Sequence, residues 1–126
     1  MDYSKLSDFE INRRVFEAKS GLPTLGYPHN SDKRSCGHKD INGNYQWFDF
    51  CNNAADAWQI IAKHQISVCA YHRANPGMKR ESWWEADIFA EFITRDDNPL
   101  RAAMIVFLKM QESSNVPANS TGSDLR

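Results

Sequence analysis

Apolar residues recur in the first part of the chain at the spacing of a helix. Ser7 and Glu10 form a capping box, in which each side chain can satisfy a backbone N–H group of the first turn. Ile11 and Val15 follow at an interval that places them on one face, before glycine and proline end the run. This pattern predicts a first helix near residues 8–19.

Two further segments combine a capping residue with helical spacing. Asn52 can cap a second helix near residues 53–64, whose predicted core-facing positions are Ala54, Ala57, Trp58 and Ile61. Asn98 can cap a third helix, and Pro99 suits its first position, where the missing N–H is not needed. The third helix is predicted to reach about Glu112. Its seven consecutive apolar residues nearly surround it, which is typical of a helix buried on most sides.

The segment between the first two helices is predicted to contain a hairpin. Residues 22–40 are polar and rich in turn formers, so we expect mostly loop, with a short strand near residues 34–41. Asn42-Gly43 is typical of a type I′ turn, whose two central residues both need positive φ. The aromatic segment 45–50 predicts the second strand.

A second hairpin is predicted between the second and third helices. Apolar and polar residues alternate over residues 66–71, and residues 75–77 have the composition of a turn. The alternation returns near residues 83–93, with apolar positions at Trp84, Ala86, Ile88, Ala90 and Phe92. This second segment predicts one half-buried strand that pairs antiparallel with the first.

The order helix, hairpin, helix, hairpin, helix indicates an α+β fold. Short connections between paired strands favour a mostly antiparallel sheet of about four strands. Three helices would pack on it in an arrangement like an α/β/α sandwich, because helices must cover the apolar sheet faces. We predict one domain over residues 1–112 and a disordered tail over residues 113–126, which are rich in Ser, Asn, Gly and Pro.

Composition narrows the class of protein without identifying an activity. The chain has 126 residues, 41% of them hydrophobic, and a formal net charge of −1, which argues against a strongly basic nucleic-acid coat. The first residues have no apolar signal region, and the longest apolar run falls well short of the ~20 residues of a membrane span. Three cysteines, an odd number, favour free thiols. We therefore expect a cytoplasmic protein without a membrane association.

Four residues in the first half of the chain are candidate zinc ligands, because thiolate and imidazole are the groups that zinc prefers. They are His29, Cys36, His38 and Cys51. Their spacing contains no C-x-x-C pair, so we favour a polar loop with a buried Cys51 and predict no metal and no cofactor.

Two candidate catalytic groups have simpler interpretations. Each cysteine could act as a nucleophile beside a histidine, although Cys69 lies within a predicted strand and is expected to be a small packing residue. Glu85, Asp87 and Glu91 are predicted to share one strand face, where carboxylates could act as acid and base. A solvated antiparallel face explains these carboxylates equally well, so we do not predict an enzyme.

The most distinctive predicted surface is a basic tip on the second hairpin. It consists of His72, Arg73, Lys79 and Arg80, and Trp83 follows it. Arginine and lysine bind phosphate and carboxylate groups, and an indole ring can stack on a base. The basic tip with Trp83 is therefore the predicted binding site, although charged tips also serve simply to keep a hairpin soluble.

The tryptophans divide between core and surface. Trp58 and Trp84 are predicted to lie in the core, on the helix stripe and the apolar strand face respectively. Trp83 is predicted to lie with Phe89 on the charged strand face. An exposed aromatic pair there would be an interface anchor, whereas a second covering layer would bury it.

Three segments resemble the NinX-like family of small proteins from lambdoid phages and prophages. They are residues 1–12 (MDYSKLSDFEIN), 51–61 (CNNAADAWQII) and 98–112 (NPLRAAMIVFLKMQE). The last segment is also similar to small phage domains with an α/β/α sandwich. The resemblance covers about a third of the chain and implies a phage accessory protein made in the bacterial cytoplasm, but no catalytic residues.

Three hypotheses about function follow. The first is a non-enzymatic protein that binds and inhibits a host factor or sequesters a nucleotide signal, which could serve counter-defence. The second is a nucleic-acid-binding accessory protein of phage replication or recombination, whose affinity would fall steeply with salt. The third, an enzyme, is the least favoured. A homo-oligomer is left open.

Overall fold

The computed structural model describes residues 1–28 and 30–114. Its helices are α1 (Asp8–Ser20), α2 (Ala54–His64) and α3 (Pro99–Ser114), with a 3₁₀ turn at Tyr3–Lys5. Its strands are β1 (Cys36–Lys39), β2 (Tyr45–Phe48), β3 (Ser67–Arg73), β4 (Glu81–Ile88) and β5 (Glu91–Asp96). These elements confirm the α+β class.

The strands form two antiparallel sheets rather than one. β1 pairs with β2, and a separate sheet has the order β3-β4-β5. The expectation of one sheet with about four strands is wrong in this respect. The strand number also differs, because the segment predicted as one strand near residues 83–93 contains a turn and forms two strands.

Helix α3, rather than a sheet, is the central layer. All seven residues from Ala102 to Leu108 are buried, which confirms the predicted burial of this helix on most sides. α3 packs against β4 and β5 and also against α1 and α2. The layer order therefore differs from the predicted sandwich, in which helices flank the sheet. No helix in the described part of the chain has the length and apolar character of a membrane span.

Two of the three predicted helix starts are confirmed. The Ser7 hydroxyl accepts a hydrogen bond from the backbone N–H of Glu10 at 3.1 Å, and Asn98 accepts from the first turn of α3. Asn53, not Asn52, caps α2, because the Asn52 side chain is bonded to other segments. α3 includes residues 113 and 114, which were predicted to be tail; the rest of that prediction lies outside the described residues.

The turn between β1 and β2 is not the predicted type I′ turn. Gly43 has a φ of 85°, but Asn42 is not at positive φ. Asp40 bonds through its backbone to both Asn44 and Gly43, which closes a three-residue loop. A loop of this length needs only one residue at positive φ, so the Asn-Gly pair serves a different turn.

Phe89 and Ala90 make the unpredicted turn between β4 and β5. Ile88 pairs with Glu91, which leaves two central residues at φ values of 50° and 62°. Asp87 Oδ2 accepts a hydrogen bond from the Ala90 N–H at 2.6 Å and holds the turn. Phe and Ala are not typical turn residues. The alternation of apolar and polar positions therefore predicted one continuous strand across residues 89 and 90.

Replacing Phe89 by Asn and Ala90 by Gly should stabilise the protein by about 1 kcal/mol, because side chains other than Asn, Asp or Gly are strained at positive φ. Phe89 is 87% exposed, so removal of its ring forfeits little burial. Urea unfolding followed by tryptophan fluorescence measures the change. Phe89→Ala alone is the control and should leave the free energy of unfolding nearly unchanged. A double variant no more stable than the wild type would contradict this prediction.

Trp58 does not belong to the core, contrary to the prediction. Its side chain is 63% exposed, whereas Ala57, Ile60 and Ile61 are buried. The apolar stripe of α2 is therefore rotated from the predicted one, and Trp58 lies outside it. The packing of α2 against α3 sets this rotation, which helix periodicity alone does not fix.

Asn12 is a fully buried polar centre that joins three segments. Its amide nitrogen donates to the Arg34 carbonyl at 2.8 Å and to Asp49 Oδ1 at 2.9 Å. Its amide oxygen accepts from the backbone N–H of Cys51 at 3.0 Å. Because each donor and acceptor is paired, Asn12 fixes α1 to the ends of β2 and of the preceding loop.

Arg101 forms a second, largely buried polar centre beside the start of α3. Its guanidinium donates to Asp8 at 2.7 Å and to Asp96 at 3.1 Å, and its side chain is only 13% exposed. It also donates to the backbone carbonyls of Ser4 and Leu6. Asn12 and Arg101 both lie in segments that carry the family resemblance, and both fix the packing of helices against distant parts of the chain.

Candidate binding surface

The face of the β3-β4-β5 sheet opposite α3 carries a stack of aromatic and cationic side chains. The Tyr71 and Trp83 rings stack with centroids 6.0 Å apart and planes inclined by 10°. The guanidinium carbons of Arg95 and Arg73 lie 4.4 and 5.6 Å from the Trp83 ring centroid. We call these residues, with Glu81 and Glu85, the open sheet face. Its aromatic and arginine composition is typical of protein interfaces.

Strand register explains why these side chains meet. Tyr71 lies directly opposite Trp83, and Arg95 lies directly opposite Glu85, two residues farther along β4 from Trp83. Residues two apart on a strand point to the same face, so Arg95 reaches the indole from the neighbouring strand. Cross-strand pairing thus assembles the stack from three strands.

Acidic residues balance the arginines on the open sheet face. Arg73 pairs with Glu81 at 2.6 Å, and Arg95 pairs with Glu85 at 3.4 Å. Glu85 also accepts a hydrogen bond from the Trp83 indole N–H at 3.0 Å, which orients the ring. The face is therefore rich in arginine but not strongly basic.

The structure divides the predicted basic tip between two faces and a loop. Arg73 lies on the open sheet face with Trp83, whereas His72 projects from the other face and contacts the Ser82 hydroxyl at 2.9 Å. Lys79 and Arg80 lie in the connecting loop and are exposed. Among the described residues, neither of these two cations has an ion-pair partner.

Sequence reasoning missed Tyr71 and Arg95 as members of this surface. Tyr71 lies at the end of the predicted strand 66–71. The alternation of that strand places Tyr71 on the polar face, the same face as Ser67 and Cys69. Arg95 could not be placed, because the turn before β5 was not predicted. Trp83 is half-buried by its neighbours on the charged face, whereas Phe89 lies at the turn and is almost fully exposed.

No zinc site is found among residues 1–28 and 30–114, where no group of three or more His, Cys, Asp and Glu side chains is arranged to hold a metal ion. Of the candidate ligands, Cys36 bonds to the Asn12 carbonyl and His38 contacts the Pro23 carbonyl. Cys51 is buried, as predicted. His29 lies outside the described residues.

The buried thiols do not have the properties of catalytic nucleophiles. Burial raises the pKa of Cys36 to about 12, and burial also raises the pKa of Cys51. Both thiols are thus protonated at neutral pH, whereas the thiolate is the nucleophile. Cys69 is exposed on β3, so its predicted packing role is wrong.

The three predicted carboxylates do not share one face. Glu85 and Asp87 lie on β4, where Glu85 pairs with Arg95 and Asp87 holds the turn. Glu91 begins β5 opposite Ile88, whose side chain faces the core side. The unpredicted turn separates it from the other two.

One comparison with known proteins identifies a family. The family model described as Bacteriophage P22, NinX matches residues 2–111, which include every described helix and strand except the last three residues of α3. No curated protein matches the chain. The match extends well beyond the three segments that carried the resemblance. The chain belongs to the NinX family of phage proteins.

Proposed function

We propose that this phage accessory protein acts without catalysis, by binding a host protein through the open sheet face. The observation that supports this proposal is the Trp83 stack, in which a half-buried indole contacts Tyr71 and two arginines. Tryptophan, tyrosine and arginine are the residues that most often dominate binding energy at protein interfaces. These side chains are already ordered by one another, which lowers the entropy lost on binding.

The shape and charge of the face favour a protein over a nucleotide. A nucleotide would need cations that are free to bind its phosphates and an aromatic ring that is free to stack on its base. The Trp83 indole is instead covered by Arg95, and both arginines are paired with glutamates. A protein partner can instead add contacts around the stack. Lys79 and Arg80, at the end of the same hairpin, favour acidic residues on the partner.

Replacing Trp83 by Ala should weaken partner binding by about 2 kcal/mol or more, which is about 30-fold in affinity. Trp58→Ala is a matched control, because Trp58 is an exposed tryptophan on α2 and not on the sheet. Tagged wild-type and variant proteins are compared by quantitative mass spectrometry of host proteins that they capture, with circular dichroism to verify folding. A partner retained by the folded Trp83 variant, or lost equally from both variants, would contradict the proposal.

Nucleic acid is the second candidate partner, and the exposed cations Lys79 and Arg80 of the β3–β4 loop support it, since Trp83 lies on the strand that follows. Phosphate contacts would make the affinity for a single-stranded oligonucleotide fall steeply with salt. Charge reversal at both positions should then abolish a gel shift seen at low salt. The absence of any shift at low salt would exclude this candidate and leave the protein partner.

A further inference from the structure

A cavity of about 380 Å³ lies between the three helices, away from the open sheet face. We call it the lysine pocket; it is lined by Ala18, Lys19, Gln59, Ile60, Lys63, His64, Phe107 and Gln111. Its volume is within the range of small-molecule sites, of roughly 300–1,000 Å³. None of its lining residues is acidic.

Its polar groups come from all three helices and can act as donors toward one ligand. Lys19 is on α1, Lys63 and His64 are on α2, and the amide of Gln111 is on α3. Among the described residues, neither lysine has an ion-pair partner. Two unpaired ammonium groups beside an imidazole and amides form a setting that suits an anion.

Its walls also include apolar groups. The His64 ring lies against the Phe107 ring, with centroids 5.2 Å apart and planes inclined by 48°. Ile60 and Ala18 complete this side. A ligand held here would therefore combine an anionic group near the lysines with an apolar or flat body against the aromatic wall.

Helix ends alone do not account for this arrangement. Lys19 and Lys63 lie in the last turns of α1 and α2, where cations complement the helix dipole. The helix dipole explains why each helix end carries a lysine. It does not explain why Lys19 and Lys63 line the same cavity as His64 and the amides of Gln59 and Gln111. The presence of these five side chains around one cavity is the feature that indicates a ligand.

We propose that the lysine pocket binds a small phosphate monoester, with its phosphate between Lys19 and Lys63 and its body against Phe107. This site is separate from the proposed host-protein surface and does not depend on it.

His64 adds a proton-linked contribution to ligand binding. Burial, and secondarily Lys63, lower the pKa of His64 in the free protein. An anion would favour its protonated form, so binding should tighten as the pH falls through the range in which histidine titrates.

Titration of the isotope-labelled full chain with AMP, followed by amide NMR shifts, tests the proposal. Shifts should concentrate at the pocket, and Lys19→Glu with Lys63→Glu should weaken AMP binding by at least about tenfold, which is ~1.4 kcal/mol. The matched control is Lys79→Glu with Arg80→Glu, which changes the same charge on the β3–β4 loop and should leave AMP binding intact. Lys19→Ala with Lys63→Ala repeats the test with a milder change if the reversed variant unfolds.

Three results would overturn the proposal. They are no AMP-dependent shifts, shifts confined to the β3–β4 hairpin, or equal loss of affinity in the pocket and control variants.

The pH dependence of binding is measured with sulfate, because the charge of sulfate is constant over the pH range in which histidine titrates. Its binding should strengthen toward acidic pH in the wild type but not in His64→Gln. The pocket variant should still capture the host partner, so failure here is distinguishable from failure of the proposed function.

Discussion

Replacing Arg101 by Met is expected to reduce the free energy of unfolding by about 3–5 kcal/mol, because it leaves two largely buried carboxylates without their cation. Asp8 and Asp96 are only 27% and 18% exposed, and the carbonyls of Ser4 and Leu6 lose a donor as well. Methionine retains most of the aliphatic packing, so the loss reports the polar contacts. Urea unfolding followed by tryptophan fluorescence measures the difference.

Arg95→Met provides a matched control for this result. Arg95 also pairs with a carboxylate, but it is 61% exposed, and exposed ion pairs contribute only about 0–1 kcal/mol. A small effect at Arg95 with a large one at Arg101 would confirm that burial decides the magnitude. Equal effects in the two variants would show that the Arg101 centre is solvated and not a structural anchor.

Replacing Asn12 by Leu is expected to destabilise the fold by a similar amount, about 3–5 kcal/mol. The side chains have similar volumes, so the change removes hydrogen bonds more than packing. It leaves the Arg34 carbonyl, the Cys51 N–H and one bond to Asp49 without their partner, and each buried unsatisfied group costs about 1–3 kcal/mol. A domain is stable by only about 5–15 kcal/mol, so this change removes a large share of the folding free energy.

Asn75→Leu is the corresponding control, because Asn75 is exposed in the β3–β4 loop. A surface change of this kind should alter stability by no more than about 0.5 kcal/mol. Thermal unfolding by circular dichroism compares the two variants directly. If Asn12→Leu unfolds at the temperature of the wild type, water or a rearranged loop must replace the lost bonds.

Elements with local signals could be predicted from the sequence. The caps of α1 and α3 act within three or four residues of the helix start, and both were identified from Ser7, Glu10, Asn98 and Pro99. The apolar run of α3 likewise indicated that this helix is buried on most sides. These features depend on neighbours along the chain, which a sequence displays directly.

Features that depend on distant partners could not be predicted. Arg101 bonds to a residue 93 positions away and Asn12 to one 39 positions away, and no periodicity relates such pairs. The Phe89-Ala90 turn was missed because tertiary pairing imposes positive φ on residues that rarely adopt it. That one turn then prevented the placement of Arg95 beside Trp83.

The same reasoning explains the partial success at the candidate site. Alternation assigned Trp83 to the charged face, but it could not show that Arg73 shares this face while His72 does not, because the extent of β3 was underestimated. The lysine pocket was missed entirely, since its residues come from three helices whose mutual rotation the sequence leaves open.

The central position of α3 has a consequence for synthesis of the protein on the ribosome. α3 follows every other described helix and strand in the chain, yet β4 and β5 as well as α1 and α2 bury their apolar faces against it. While the nascent chain lacks α3, α1 can contact β1, but the core faces of β4 and β5 and the apolar stripe of α2 lack the helix that they pack against. The part of the core around α3 therefore forms late, and the apolar faces that it covers stay exposed until that helix emerges.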